Sequence, residues 1–370
     1  MLASLCALSV LAAKGPVQEN GDARFHNPAL APRPGQKVSP VALYWLDRPM
    51  SFTKLSPKKF GPTQEPYTFD WVVAGFVRPA DHPENQVVRF RIYNQLKPKE
   101  NDETFGAARM LLRLWETLEG WGSDHSYDYA GGTVDLYLCW GGTPGGEALL
   151  DHDPQVPKTS NDKVATMYIY DLPSFKDPVE RAREVAHEYG HLVLPAVGGY
   201  SDPEDWANGV LGERLFLTQL ARDLRAGEIP SEDVFGVTAV QLDAWLAKNV
   251  VPYRDRAALQ GPFAPAYARR DKAGMDAFIG EASLLQAMLP SKRLGRTLRL
   301  MESQKAEALI KSAPISMEEG GATLTIPASL AGKAIWIPMG RTKVVGAKVL
   351  ARRSGWAQVK PTGSTVTLKV

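Results

Sequence analysis

The chain is predicted to be an α+β protein, in which a mixed sheet carries a backing helix and a second, motif-bearing helix. A mostly helical subdomain and a small C-terminal β-unit follow. Three observations carry this prediction. Aromatic and β-branched runs separated by Pro-rich turns fill residues 41–96, apolar residues at helical spacing dominate beyond Tyr200, and short alternating segments return after Pro314. A length of 370 residues, with 44% hydrophobic and 23% charged, is enough for two or three packed units.

The first element is the apolar run Met1–Ala13, which has the length of a signal-peptide core and ends in small residues suited to cleavage. It reads as a signal for export, secreted or periplasmic, although no Lys or Arg precedes it. Residues 14–40 are dense in Pro, Gly and polar residues and read as a linker. Residues 41–200 form the predicted sheet-and-helix subdomain. Its β-like segments are ALYWL, FDWVVAGFV and VVRFRIYNQL, followed by a helix whose stripe is Phe105, Ala108, Leu111, Leu112, Trp115 and Leu118. Two more strands are expected at Val134–Trp140, where Val, Leu and Trp alternate with Asp135, Tyr137 and Cys139, and at Val164–Tyr170. The glycines of GGTPGG, residues 141–146, read as turns, since no Lys-Ser/Thr follows to make a phosphate loop.

Asp177, Pro178 and Glu180 together mark a helix start, and Pro195 with Gly198 and Gly199 mark its end. Residues 201–312 should form the helical subdomain, and residues 313–370 the β-unit, with strands in ATLTIP, KAIWIP and STVTLKV. No segment after Ala13 approaches the length of a transmembrane helix. Forty-three basic residues against forty-one acidic ones give a net charge of +2, without a basic stripe, so no nucleic-acid partner is expected. The two cysteines, Cys6 and Cys139, exclude a disulfide framework, and Cys139 inside an alternating strand reads as a packed thiol.

The helix from Asp177 contains His187-Glu188-Tyr189-Gly190-His191. Four residues of helix turn through about 400°, so the two imidazoles share a face one turn apart and can reach one ion. Imidazole nitrogen suits Zn2+, and Glu188 beside that face can take a proton from water that zinc has made acidic. The chain has only six histidines, which makes a chance HExxH rare, and the flanking Val185, Ala186, Leu192 and Val193 carry no charge. His26, His82, His125 and His152 lie in polar, loop-like stretches and read as surface residues.

A catalytic zinc commonly takes three protein ligands. Ten residues after His187 stands Val197, which excludes a third donor at that spacing. A further helix is predicted to open at Asp202-Pro203, with Trp206, Val210, Leu217 and Leu220 in its apolar stripe and Glu213 within the same stripe. A carboxylate facing the interior needs a cation, either the zinc or an arginine such as Arg181, Arg183 or Arg222. Asp202, Glu204 and Asp205 are already explained by helix-start chemistry.

HEYGH followed by ANGVLGERLF, with Glu213 lying 22 residues after His191, resembles the gluzincin branch of the zincin metallopeptidases, the thermolysin-like group. The order of backing helix, strands and motif helix is similar too, over about Val87–Leu220. The resemblance implies a zincin-like sheet, zinc held by His187, His191 and Glu213, a general base at Glu188 and a cleft beside strand Val164–Tyr170. It also implies a later Tyr or His that stabilises an oxyanion, for which Tyr253, Tyr267 and Tyr200 are candidates. The expected function is zinc-dependent hydrolysis of a peptide or protein substrate. The alternatives are a catalytically silent zincin-like binding protein, perhaps held to a surface by its β-unit, and a zinc hydrolase of a non-peptide bond. Specificity, endo- or exo-action and oligomeric state are not legible in this pattern.

Overall fold

The computed structural model describes residues 41–52, 67–77, 87–95, 103–122, 134–141, 143–149, 165–201, 203–301, 307–318 and 320–370. The expected signal peptide, the linker, His26, His82, His125, His152 and Asp202 lie outside these residues. The described residues fall into two compact units. One is drawn from 1–115, 128–192 and 226–237, the other from 116–127, 193–225 and 238–370. The α+β class of the prediction is realised.

The first unit is built on a six-stranded sheet of β1 (Val41–Phe52), β2 (Tyr67–Val77), β3 (Val87–Asn94), β4 (Val134–Cys139), β5 (Gly145–Leu149) and β6 (Ala165–Tyr170), in the order β1-β2-β3-β4-β6-β5. Strands β1 to β3 form an antiparallel meander, and β3, β4 and β6 run parallel. A parallel neighbour needs a crossover, and helix α1 (Glu103–Gly120) lies in the connection from β3 to β4. One face of the sheet is apolar: Phe90, Ile92, Leu136, Leu138, Met167 and Ile169 are all buried. Leu112 of α1 rests on Gly75 of β2, where a Cβ would stand 3.4 Å from its Cγ.

The opposite parity, which carries Asp135, Tyr137 and Cys139 in β4, is buried as well. It is satisfied from strand to strand. Arg91 Nη2 donates to Asp135 Oδ2 at 2.9 Å across the β3–β4 register, and Tyr93, Tyr137 and Tyr168 stack with centroids 4.6 and 5.2 Å apart. A buried carboxylate is tolerated where a guanidinium pairs with it through two bonds. Arg113 of α1 similarly donates to Asp233 at 2.6 Å.

In the second unit, helix α3 (Ala207–Ala226) begins four residues later than the Asp202-Pro203 start suggested. Gly198 and Trp206 form a β-bridge, and Trp206 is 41% exposed, so it does not belong to the helix stripe. Glu204 Oε1 instead accepts the Val210 N–H at 3.2 Å. Helices α4 (Ala239–Asn249), α5 (Val251–Gln260), α6 (Lys272–Met288), α7 (Ser291–Arg299) and α8 (Glu307–Glu318) follow. Thr238 and Gln241 form a reciprocal capping box on α4, and Asp271 caps α6. Gly280 of α6 approaches Tyr253 of α5 so closely that a Cβ would lie 2.6 Å from its carbonyl oxygen.

Helix α8 corrects the expected start of the β-unit at about Pro314, since Pro314 lies inside it. Proline supplies no N–H for the carbonyl four residues earlier, that of Ile310. The indole Nε1 of Trp356 donates to that carbonyl at 3.2 Å, so the helix continues to Glu318. The β-unit then consists of two three-stranded antiparallel sheets. The first is β10 (Ala347–Arg353), β11 (Trp356–Pro361) and β8 (Ile335–Pro338); the second is β7 (Ala322–Thr325), β12 (Thr365–Lys369) and β9 (Lys343–Val345).

Candidate metal centre

Helix α2 (Pro178–Val193) carries the motif. Asp177 caps it as its sequence position suggested, its Oδ1 accepting the Val179 N–H at 2.9 Å. Its first turn is fixed to the start of α1 by Arg181, which pairs with Glu103 at 3.1 Å. Val185, Ala186, Tyr189 and Leu192 are buried, and Tyr189 meets Phe90 of β3 edge to face at 5.7 Å. That packing orients the helix. His187 and His191 remain half-buried on the neighbouring stripe, while Glu188 is buried.

The Nε2 atoms of His187 and His191 stand 3.2 Å apart, with the ring planes inclined at 74°. Two nitrogens bound to one tetrahedral zinc at 2.0–2.1 Å would be about 3.3 Å apart, so the pair fits such an ion as it stands. One ligand atom from each of His187, Glu188 and His191 lies within 4.8 Å of the others, so the group could hold a metal ion. The combination of two neutral nitrogen donors and one carboxylate suits zinc among several divalent metals.

Glu188 has a neighbour that the sequence reading took for a turn. Residues Gly145 and Gly146 belong to β5, the antiparallel edge strand of the sheet, and a Cβ on Gly146 would stand 2.4 Å from Glu188 Oε1 and 2.6 Å from its Cγ. Glycine is a poor strand former, so only the pairing with β6 marks the segment as a strand. Strand β6, beside which the resemblance implied a cleft, lies between β4 and β5, so among the described residues the edge strand on that side is β5.

Glu213 belongs to the second unit, on α3, and is buried as its place in the stripe implied. Its Oε2 accepts a hydrogen bond from Arg214 Nη1 at 2.6 Å. The expected cation includes an arginine, but not one of those considered from the sequence. Arg181 pairs with Glu103, Arg183 with Glu180, and Arg222 donates to the Gln286 carbonyl. The three tyrosine candidates also belong to the second unit. Tyr267 is buried and donates to Glu281 at 3.2 Å, Tyr200 accepts from Arg270 at 3.1 Å, and Tyr253 is half-buried on α5. Burial pushes the Tyr200 hydroxyl up to about 12 and the Tyr267 hydroxyl well above its ordinary range. Cys139 is buried, and burial pushes its thiol up, which fits packing and not nucleophilic use. No family model matches the chain, and no curated protein or solved structure shows significant similarity to it.

Proposed function

We propose that the chain is a zinc-dependent peptidase in which His187 and His191 hold the ion and Glu188 is the general base. The observation that carries this reading is the 3.2 Å convergence of the two imidazole Nε2 atoms beside a buried carboxylate on the same helix. Zinc, when bound, would supply a Lewis acid that polarises a carbonyl and acidifies water. The residues of this chain do the rest. Glu188 takes the proton of the attacking water and passes it to the departing amine, and its burial keeps competing solvent from the carboxylate. On the resemblance, the third protein donor in this reading is Glu213.

A peptide is favoured over other substrates by β5. Among the described residues that strand pairs only with β6, and its other edge can receive an extended chain through main-chain hydrogen bonds next to Glu188. A silent binding protein would have no use for a carboxylate at position 188. Export, as expected from the pattern of Met1–Ala13, would put this activity outside the cytoplasm.

The test is zinc content paired with cleavage of an unbiased peptide mixture. The expected result is about one zinc per chain and cleavage that stops on chelation. Protein prepared with ample zinc that binds none, or that binds it and cleaves no peptide, overturns the assignment.

A further inference from the structure

We propose that the C-terminal β-unit is a docking surface for an anionic phospholipid bilayer. The near-neutral balance of the whole chain conceals how its charge is distributed. Residues 320–370 contain eight lysines and arginines and no Asp or Glu. Taking those eight from the 43 basic residues leaves 35 against 41 acidic ones, a net of −6 on residues 1–319. Charge asymmetry of this kind points to a charged surface as partner. All eight cations are exposed, and among the described residues one carboxylate comes within 4.0 Å of any of them, Glu318 at Arg341.

The strand register adds a second, independent observation. Lys348 of β10 lies directly opposite Lys360 of β11, and Lys369 of β12 directly opposite Lys343 of β9. Like charges at facing positions of an antiparallel pair destabilise it. This small unit accepts that penalty in both of its sheets. An external layer of phosphates would turn each repulsive pair into an anion-binding pair.

The apolar residues around these pairs select the kind of anion. Val345 and Leu350, 40% and 47% exposed, each lie two residues along the strand from a paired lysine, and Val370 follows Lys369. Leu350 falls at the register shift between Val349 and Ala351, where a bulge re-aims a side chain. Cations beside exposed aliphatic side chains suit a headgroup layer, with the charges at the phosphates and the aliphatic groups at the acyl boundary. A single-stranded nucleic acid would want exposed aromatic rings for stacking. The unit has two aromatic residues, Trp336 and Trp356, and neither is exposed.

The experiment is co-sedimentation of the full chain with phosphatidylcholine vesicles and with vesicles containing about one third phosphatidylglycerol, at low and raised salt. Binding only to the anionic vesicles, weakened by salt, is expected. A lysine near such a surface contributes about fivefold in partitioning, so Lys348→Gln with Lys360→Gln should lower binding on the order of twentyfold. The same variant should melt at an unchanged or higher temperature, because a repulsive pair has gone. Leu350→Ser should weaken binding without changing its salt dependence. Equal binding to both vesicle types, or variants that bind like the parent, overturns the proposal. Tighter binding to duplex DNA or heparin than to the vesicles at the same salt also overturns it, and makes the partner a soluble polyanion. None of these readouts requires hydrolysis, so the outcome is independent of the zinc site.

Discussion

Replacing Gly146 by alanine should disarm Glu188 while leaving the imidazole pair intact. Gly146 does not have a left-handed φ, so alanine fits its backbone, and by strand propensity alone the change should be neutral or slightly stabilising. The added methyl is the whole perturbation. It would lie 2.4 Å from Glu188 Oε1, 2.6 Å from Cγ and 2.7 Å from Cδ, where ordinary contacts begin at 3.4 Å. The carboxylate must therefore move by on the order of 1 Å, and a misplacement of that size can cost about a hundredfold in rate. Overpacking of this kind also destabilises by about 1–3 kcal/mol. The assay has two arms. Turnover of a cleavable peptide should fall about a hundredfold in kcat with zinc content unchanged. In the metal-free protein, the stability lost on Gly146→Ala should largely vanish in a Glu188→Ala background, where the obstructing side chain is gone. Additive stability effects would refute the contact. A coupled pair without any change in turnover would refute the role of Glu188 as base.

Three further outcomes follow from the same contacts. Glu188→Gln should retain zinc by elemental analysis and lose about 10²- to 10⁴-fold in hydrolysis, since an amide cannot accept the proton; loss of zinc would make Glu188 a ligand instead. Trp356→Phe should destabilise the protein by about 1–3 kcal/mol through the orphaned Ile310 carbonyl, and by clearly less in a Pro314→Ala background that restores a helical N–H; equal losses in both backgrounds would contradict that bond. Glu281 is fully buried on α6, and desolvation lifts its carboxyl to about 8. The folded state then holds a proton that the unfolded state releases, so stability should fall as pH rises from about 4.5 to about 8, by roughly 1.4 kcal/mol per unit, with Glu281→Gln flattening the slope in a melting series.

The motif helix and its neighbours were legible because each rests on local chemistry. Asp177 and Pro178 specify a helix start whatever lies beyond them, and the spacing of His187 and His191 puts two imidazoles on one face without help from the rest of the fold. The parallel strands were legible for a related reason, since β4 alternates in period two, β6 is rich in β-branched and aromatic residues, and both are short and bounded by breakers. What local pattern does not encode is partnership. The alternation of β4 does not say what meets Asp135 and Tyr137; only the strand register brings Arg91, Tyr93 and Tyr168 beside them. Pro314 marks a helix end only if no distant group takes the Ile310 carbonyl, and Trp356 takes it.

Gly146 shows the same limit at the site itself. A glycine in a turn-rich run carries no functional mark, because its contribution is the absence of a side chain where another residue's carboxylate must lie. The signal becomes visible only once β5 is paired to β6 and the motif helix is packed on Phe90. Glu213 is the converse case. Its burial was legible from the apolar stripe, and burial of a carboxylate requires a cation, but the arginine that meets it is its own neighbour Arg214, which helix periodicity places off that stripe. A guanidinium beside a carboxylate does not by itself decide between a purely structural pair and a ligand held in position by a donor. Glu213→Gln separates them: zinc affinity should fall if the carboxylate is a donor, whereas a structural pair would show only a loss of stability.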